Sequence, residues 1–284
     1  MNDVSSTFTL GARARGRLGY GAMQLAGSGA FGPPRDRSES IAVLREAVAR
    51  GVDHLDTSHA YGPHVTNQLI REALHPYPEE LLIATKVGGT RGEDGAWLRA
   101  DSAAALRTQV EDNLRHLGLD VLELVNLRVM LDPMRAVEGS IEAPLTALLA
   151  LQREGKVRHI GLSHATPTQV AEARTLGEIA CVQNLYNLAH RGDDALIDAL
   201  ARDGIAYVPF FPLGGFSPLQ STALSRVARE LDATPMQVAL AWLLQRAPNV
   251  MPIPGTSRIA HLRENLGAAR LSLTPDQITT LEPG

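Results

Sequence analysis

The chain has 284 residues, 44% of them hydrophobic and 20% charged, with a formal net charge of −4. That balance belongs to a globular protein with a sizeable core, and without a long basic run it offers no footprint for nucleic acid or an anionic membrane surface. The opening Met1-Asn2-Asp3 lacks the basic-then-apolar order of a secretory leader and no apolar stretch is long enough to span a bilayer, so a cytoplasmic protein, monomeric or weakly self-associating, is expected.

Short apolar runs alternate with segments of helical period along almost the whole chain. Thr7 to Arg17, mostly polar with Gly11 and Gly16, reads as a β-hairpin that caps the bottom of a barrel. Leu18–Gly21 is a first strand, and Ser38 is placed to cap a helix whose apolar face is Ile41, Leu44, Ala47 and Val48. Strand His54–Asp56, a helix from Thr66 to Leu74, strand Leu81–Lys86, a helix from Ser102 to Leu117 and strand Val121–Leu127 follow. The second half repeats the rhythm: helix Ile141–Glu154, strand His159–Ser163, helix Pro167–Thr175, strand Val182–Asn184, helix Asp194–Ala201, strand Ala206–Phe210, helix Pro235–Arg246 and strand Val250–Ile253. Cys181, the one cysteine, stands among Ile179, Ala180 and Val182 and reads as a buried strand thiol.

The count of eight strands is the number that closes a barrel, so the expected fold class is α/β, a single-domain (β/α)8 TIM barrel. An open doubly wound sheet shares the alternation. It would need a GxGxxG turn running straight into a helix after the first strand, and Gly19-Tyr20-Gly21 leads instead into a glycine-containing loop.

In such a barrel the chemistry gathers at the carboxyl ends of the strands. Asp56 ends one strand, Tyr61 lies five residues on in its loop, and Lys86 ends the next strand. A phenol titrates near pH 10, so as an acid at neutral pH it needs a cation to stabilise its phenolate. Lys86 can supply that charge, and Asp56 can keep the ammonium charged and oriented. Each also has a plain structural reading: a turn cap for Asp56, loop packing for Tyr61, a snorkelling strand end for Lys86. Together on consecutive strands they make a proton donor for a carbonyl becoming an alkoxide.

The segment Gly51-Val-Asp-His-Leu-Asp-Thr-Ser-His-Ala-Tyr61-Gly resembles the GxxxxDTAxxYG segment of the aldo-keto reductases. The resemblance continues through Leu82–Lys86, Leu117–Asp120, Gly155–Ser163, Val182–Asn187, Ile253–Ser257 and Glu264-Asn265, covering roughly Leu18 to Leu281. It implies an NADPH-dependent reductase of small aldehydes or ketones, with NADH the other possible cofactor. Ser163, His164 and Gln183 match positions that bind the nicotinamide carboxamide, with His164 where the family usually has asparagine. Phe210 stands where a tyrosine commonly stacks on the nicotinamide ring, and Leu213 to Gly215 match the pyrophosphate loop. Gly255, Thr256, Ser257, Arg258, His261, Glu264 and Asn265 match the segment that grips the adenosine end. Gly255 and His261 replace the lysine and arginine of the commonest NADP-selective form, and Arg258 is the candidate to restore that charge.

Gly21 and Met23 are expected beside the cofactor, and Gln24, Trp97 (in the loop after the third strand) and Asn126 beside the substrate. The family's fourth catalytic residue, usually a histidine ending the fourth strand, falls on Arg128. An arginine there either donates to the substrate oxygen or binds an anionic group of the substrate; its structural reading is a pair with Asp132. His59 and His64 flank Tyr61 as loop or pocket residues, and no metal is expected. Two rival functions remain: a cofactor-binding sensor subunit with weak or no turnover, and a barrel lyase using Lys86 as a Schiff base. The second needs the lysine pKa depressed, whereas Asp56 would raise it.

Overall fold

The computed structural model describes residues 7–133, 135–215 and 219–282. Strands β1 (Thr7–Leu10) and β2 (Arg13–Gly16) form an antiparallel hairpin with Thr7 opposite Gly16. It turns at Gly11, whose φ of +67° is open to glycine at no steric cost. Leu10 packs with Leu82, Leu124, Cys181, Ala206 and Met251, residues at the amino-terminal ends of the barrel strands. The hairpin thus plugs the bottom of the barrel, as its sequence suggested.

Seven parallel strands follow one another around the sheet: β3 (Tyr20–Gly21), β4 (His54–Asp56), β5 (Leu82–Arg91), β7 (Leu122–Arg128), β8 (Val157–Ser163), β9 (Cys181–Gln183) and β10 (Ala206–Tyr207). The antiparallel strand β6 (Trp97–Ala100) lies off this path, against β5. The eighth barrel position is taken by the segment Val250–Pro254, which is too irregular to be a regular strand because Pro252 and Pro254 have no N–H to donate. It nevertheless closes the ring. On one side the N–H of Met251 donates to the Tyr207 carbonyl at 2.8 Å, and on the other the N–H groups of Gly19 and Gly21 donate to the carbonyls of Pro252 (3.0 Å) and Pro254 (3.3 Å).

The outer layer is helical: α1 (Arg37–Ala49), α2 (Val65–Leu74), α3 (Ala103–Leu117), α4 (Glu142–Arg153), α5 (Pro167–Leu176), α6 (Asp194–Arg202), α7 (Thr222–Glu230), α8 (Pro235–Arg246), α9 (Ile259–Gly267) and α10 (Pro275–Leu281). Three of them start with the same device. Thr166, Thr234 and Thr274 each accept from the N–H of a glutamine three residues on, whose side chain accepts back from the cap, with proline at the first helical position. The cap of α1 differs from expectation: Asp36, not Ser38, accepts from the Glu39 N–H at 2.9 Å, placing Ser38 inside the helix. A carboxylate there also meets the positive end of the helix dipole.

Strand β5 does not stop at Lys86. It runs on to Arg91 and folds back as a hairpin with β6, Arg91 opposite Trp97. Trp97 is therefore a strand residue standing over the barrel mouth. Helices α7, α9 and α10 carried no distinct signal in the strand-helix count, and α9 follows directly on the closing segment.

Candidate active site

Asp56 is the last residue of β4 and pairs in register with Ala84, so Lys86 emerges one pleat higher on the same side of β5. The ammonium of Lys86 donates to the Asp56 carboxylate and, at 3.1 Å, to the Thr57 carbonyl. It lies 5.3 Å from the centroid of the Tyr61 ring, and all three side chains are buried. Burial opposes the lysine's charge, but the Asp56 carboxylate and the Tyr61 oxygen outweigh it and hold Lys86 above the ordinary lysine range. That direction is the opposite of what an amine nucleophile requires.

The strands carrying these groups are braced by a buried polar network. Thr57 Oγ1 donates to Asn67 at 2.8 Å, and the Asn67 amide (2.8 Å) and Thr85 Oγ1 (2.6 Å) both donate to Asn113 Oδ1. Gln109 accepts from the Gly88 N–H at 2.7 Å and donates to the Ala100 carbonyl at 2.6 Å. Helices α2 and α3 thereby grip β4 and β5 at the height of the site. The Tyr61 loop is tied in turn to the loop after β3, since Gly62 donates to the Ala30 carbonyl and Gly32 to the Gly62 carbonyl, both at 3.0 Å.

A cavity of about 370 Å3 opens at this end of the barrel. Asp56 and Tyr61 stand at one end and His261, Glu264 and Asn265 at the other, with Gly21, Met23, Gln24, Phe210, Leu213, Gly215, Gly255 and Thr256 between them. Gly21 and Gly255 are needed as glycines here, because a Cβ on either would come within 2.5 Å of the other strand's backbone carbonyl. Ile253 and Pro254 of the Ile253–Ser257 segment also line it, as do Phe211, Pro212 and Met236, which were not singled out from sequence. Of these, Met236 had a usable signal, since it lies inside the Thr-Pro-x-Gln start of α8 whose end faces the groove.

Ser163, His164, Gln183, Ser257 and Arg258 lie outside that lining. Arg128, Ser163 and Gln183 form a row across the tops of β7, β8 and β9, because Ser163 pairs in register with both of the others. The Gln183 amide donates to Asp56 at 2.8 Å, and its Oε1 is buried without a hydrogen-bond partner. His164, at φ +62°, packs its ring edge-on to Phe210 with centroids 6.1 Å apart, and its Nδ1 is likewise buried and unpartnered. Burial, then the charge of Arg128, depress its pKa to about 4, so the imidazole is neutral at physiological pH, with one donor and one acceptor. An unmet acceptor beside an unmet imidazole nitrogen is the complement of a primary carboxamide, so these residues fit the nicotinamide end of a dinucleotide. At the other end Arg258 is exposed at the start of α9, and its N–H donates to Thr256 Oγ1 at 3.1 Å.

Gln24 lines the cavity beside Gly255. Asn126 is fully buried and accepts from the Cys181 thiol at 3.2 Å, inside the barrel and not on a pocket wall. The strand alternation was read correctly, but the inward face at that height is packed with side chains. Cys181 is an inert core thiol, pushed up to about 12 by burial. Arg128 does not pair with Asp132, which pairs with Arg135 at 3.5 Å; its guanidinium instead lies 4.0 Å from the centroid of Trp97. His59 donates from Nδ1 to the Lys86 carbonyl at 3.1 Å, and His64 stacks on His116 at 4.3 Å. Among the described residues no group of histidine, cysteine, aspartate and glutamate side chains is arranged to hold a metal ion, and no helix is long and apolar enough to cross a membrane.

Residues 17–283 match the model of the aldo/keto reductase family. The chain is 67% identical over 279 residues to pyridoxine 4-dehydrogenase of Escherichia coli (strain K12), covering 98% of each chain. It is 32% identical to a probable aldo-keto reductase 1 of Glycine max, covering 91% of this chain and 82% of that one. Among solved structures, a thermostable aldo-keto reductase in complex with the inhibitor epalrestat superposes with a TM-score of 0.81 at 27% identity, covering 97% of this chain and 98% of the other. With the barrel, the buried carboxylate-ammonium-phenol cluster and these likenesses together, the chain belongs to the aldo/keto reductase family and is an oxidoreductase of carbonyl and alcohol groups.

Proposed function

We propose that this protein is an NADPH-dependent reductase of small aldehydes and ketones, and that its reaction interconverts pyridoxal and pyridoxine. The observation that carries the reading is the buried contact of Lys86 with Asp56 beneath the Tyr61 ring, next to the unpartnered carbonyl oxygen of Gln183. The relative at 67% identity is named for dehydrogenation of pyridoxine at position 4, the reverse of reducing the aldehyde of pyridoxal.

The residues divide the work by position. Ser163, His164 and Gln183 hold the carboxamide, Phe210 covers the nicotinamide ring, and Leu213 to Gly215 meet the pyrophosphate. Gly255 to Arg258, with His261, Glu264 and Asn265, grip the adenosine end, Arg258 being the residue we assign to the 2′-phosphate. Bound there, the cofactor would supply the hydride that the carbonyl carbon takes up. Tyr61 donates its phenolic proton to the carbonyl oxygen. Lys86 stabilises the phenolate that remains, and Asp56 keeps Lys86 protonated and fixed in place; a proton delivered in this way contributes roughly 10²–10⁴-fold in rate. The intact cluster argues against a sensor without turnover, and the raised Lys86 pKa against a Schiff-base lyase.

The test is direct: purified protein, NADPH and pyridoxal, followed by loss of reduced-cofactor absorbance and by chromatography of the product. Pyridoxine formed in step with NADPH consumed supports the proposal. No consumption with pyridoxal or with any of a panel of aldehydes and ketones would overturn it.

A further inference from the structure

Above Tyr61 the hairpin of β5 and β6 carries a ladder of rings and cations. The Arg91 guanidinium lies 5.3 Å from the Phe31 ring centroid and 4.4 Å from that of Trp97, and Arg128 approaches the same Trp97 ring at 4.0 Å. Arg91 also donates to the Gly29 carbonyl at 3.0 Å, which ties the hairpin to the loop after β3. The order Phe31, Arg91, Trp97, Arg128 therefore runs from one rim of the barrel mouth to the top of β7, where Arg128 stands beside Ser163.

Among the described residues neither guanidinium meets a carboxylate. Of the acids in the neighbouring turns, Asp94 accepts from the Ala96 N–H at 2.9 Å, Asp101 pairs with Arg99 at 2.8 Å, Asp132 pairs with Arg135, and Glu93 is exposed at the hairpin tip. Two partly buried cations sharing one ring, with no counter-charge, are unfavourable by themselves. Burial and the Arg91 charge both pull Arg128 below its ordinary range, opposed by the Tyr61 oxygen, which places both arginines and the phenol in one electrostatic neighbourhood. A ladder braced by aromatic stacking yet left two charges in excess is built to receive an anion.

We propose that the Phe31–Arg91–Trp97–Arg128 ladder is an anion subsite, in which Arg128 binds an oxyanion carried by the carbonyl substrate and Arg91, acting through Trp97, is a positioning residue. This rests on the carbonyl-reductase reading above and adds a substrate class to it: aldehydes and ketones bearing a phenolate, carboxylate or phosphate. In pyridoxal the ring hydroxyl next to the aldehyde supplies such an oxygen. The subsite also separates the two roles open to Arg128, since an anchored guanidinium selects charged substrates over neutral ones of equal size.

The experiment compares kcat/KM for 4-carboxybenzaldehyde and for the neutral 4-nitrobenzaldehyde in the wild type, Arg128→Met, Arg128→Lys and Arg91→Met, with pyridoxal and pyridoxal 5′-phosphate distinguishing phenolate from phosphate. Binding of benzoate against benzamide, read from Trp97 fluorescence in the presence of NADP, runs beside it. The expected result is a preference for the carboxylate that falls roughly tenfold or more in Arg128→Met, as loss of a hydrogen bond to a charged group requires. Arg128→Lys should restore part of it, and Arg91→Met should reduce it through KM. A wild type that shows no preference, or variants that leave both the kinetic ratio and the benzoate-to-benzamide binding ratio unchanged, would overturn the subsite. If no aldehyde turns over, the reductase reading fails, and the benzoate titrations still decide the subsite on their own.

Discussion

The side-chain amide of Gln183 donates to the Asp56 carboxylate at 2.8 Å and leaves its own Oε1 buried without a partner. The bond fixes which end of the amide faces the mouth: nitrogen toward the Asp56 carboxylate, oxygen toward the site proposed for the carboxamide. In the proposed cofactor pose one residue thereby couples the lysine's counter-ion to the carboxamide.

Gln183→Met should therefore raise the Kd for NADPH roughly tenfold, the loss expected when a buried hydrogen-bonding group is removed. The Kd for 2′-phospho-ADP-ribose, which has no carboxamide, should not move. Fluorescence titration with both ligands checks this, and equal weakening of the two would show that Gln183 acts on the fold and not on the carboxamide.

Acid should destabilise the fold through His59. Burial depresses its pKa from 6.5 to about 4 while its Nδ1–H is committed to the Lys86 carbonyl. The unfolded chain takes up this proton first as pH falls, so the stabilisation is complete above pH 6.5 and is lost progressively toward pH 4. The shift corresponds to something on the order of 3 kcal/mol. His164 is shifted in the same direction and adds to the trend. Melting temperatures measured from pH 7 down to pH 4 should fall, and His59→Gln, which keeps a donor for the carbonyl, should flatten the slope. A parallel slope in the variant would remove His59 from the account.

The brace behind the site should be costly to break. Asn113→Ala leaves Asn67 and Thr85 without their common acceptor, a loss of about 1–3 kcal/mol for each buried polar group left unsatisfied. Gln277→Ala removes the exposed half of a capping box at α10 and an exposed hydrogen bond to Glu230, and should cost no more than about 1 kcal/mol. Guanidinium unfolding midpoints for the two variants give the comparison, and a smaller effect at Asn113 than at Gln277 would contradict it.

The barrel was legible because short strand-forming runs alternate with segments of helical period and several helices open on a side-chain cap, with Thr-Pro-x-Gln repeated at α5, α8 and α10. The hairpin under the barrel could be read from the turn at Gly11, and Leu10 as its plug is a consequence of packing. The continuation of β5 to Arg91 was harder to see, although Gly92-Glu93-Asp94-Gly95 between strand-forming residues is a hairpin signal. Overlooking it placed Trp97 in a loop and hid Arg91 altogether. Ser38 offered an adequate cap for α1, but Asp36 also meets the helix dipole and takes the position. Asn126 was placed on the correct face of its strand, yet alternation does not say how far the barrel interior is filled, and there it is filled by Cys181 and Asn126 together.

The account stands or falls on the phenol at position 61. Tyr61→Phe keeps the ring over Lys86 and removes only the proton that is donated, so NADPH affinity should stay as in the wild type while kcat for pyridoxal reduction falls by roughly 10²–10⁴-fold. Steady-state turnover of that variant, measured beside its cofactor titration, is the decisive measurement. A large loss of kcat at unchanged cofactor affinity is the result expected, and turnover at the wild-type rate would contradict the assignment of Tyr61 as the acid.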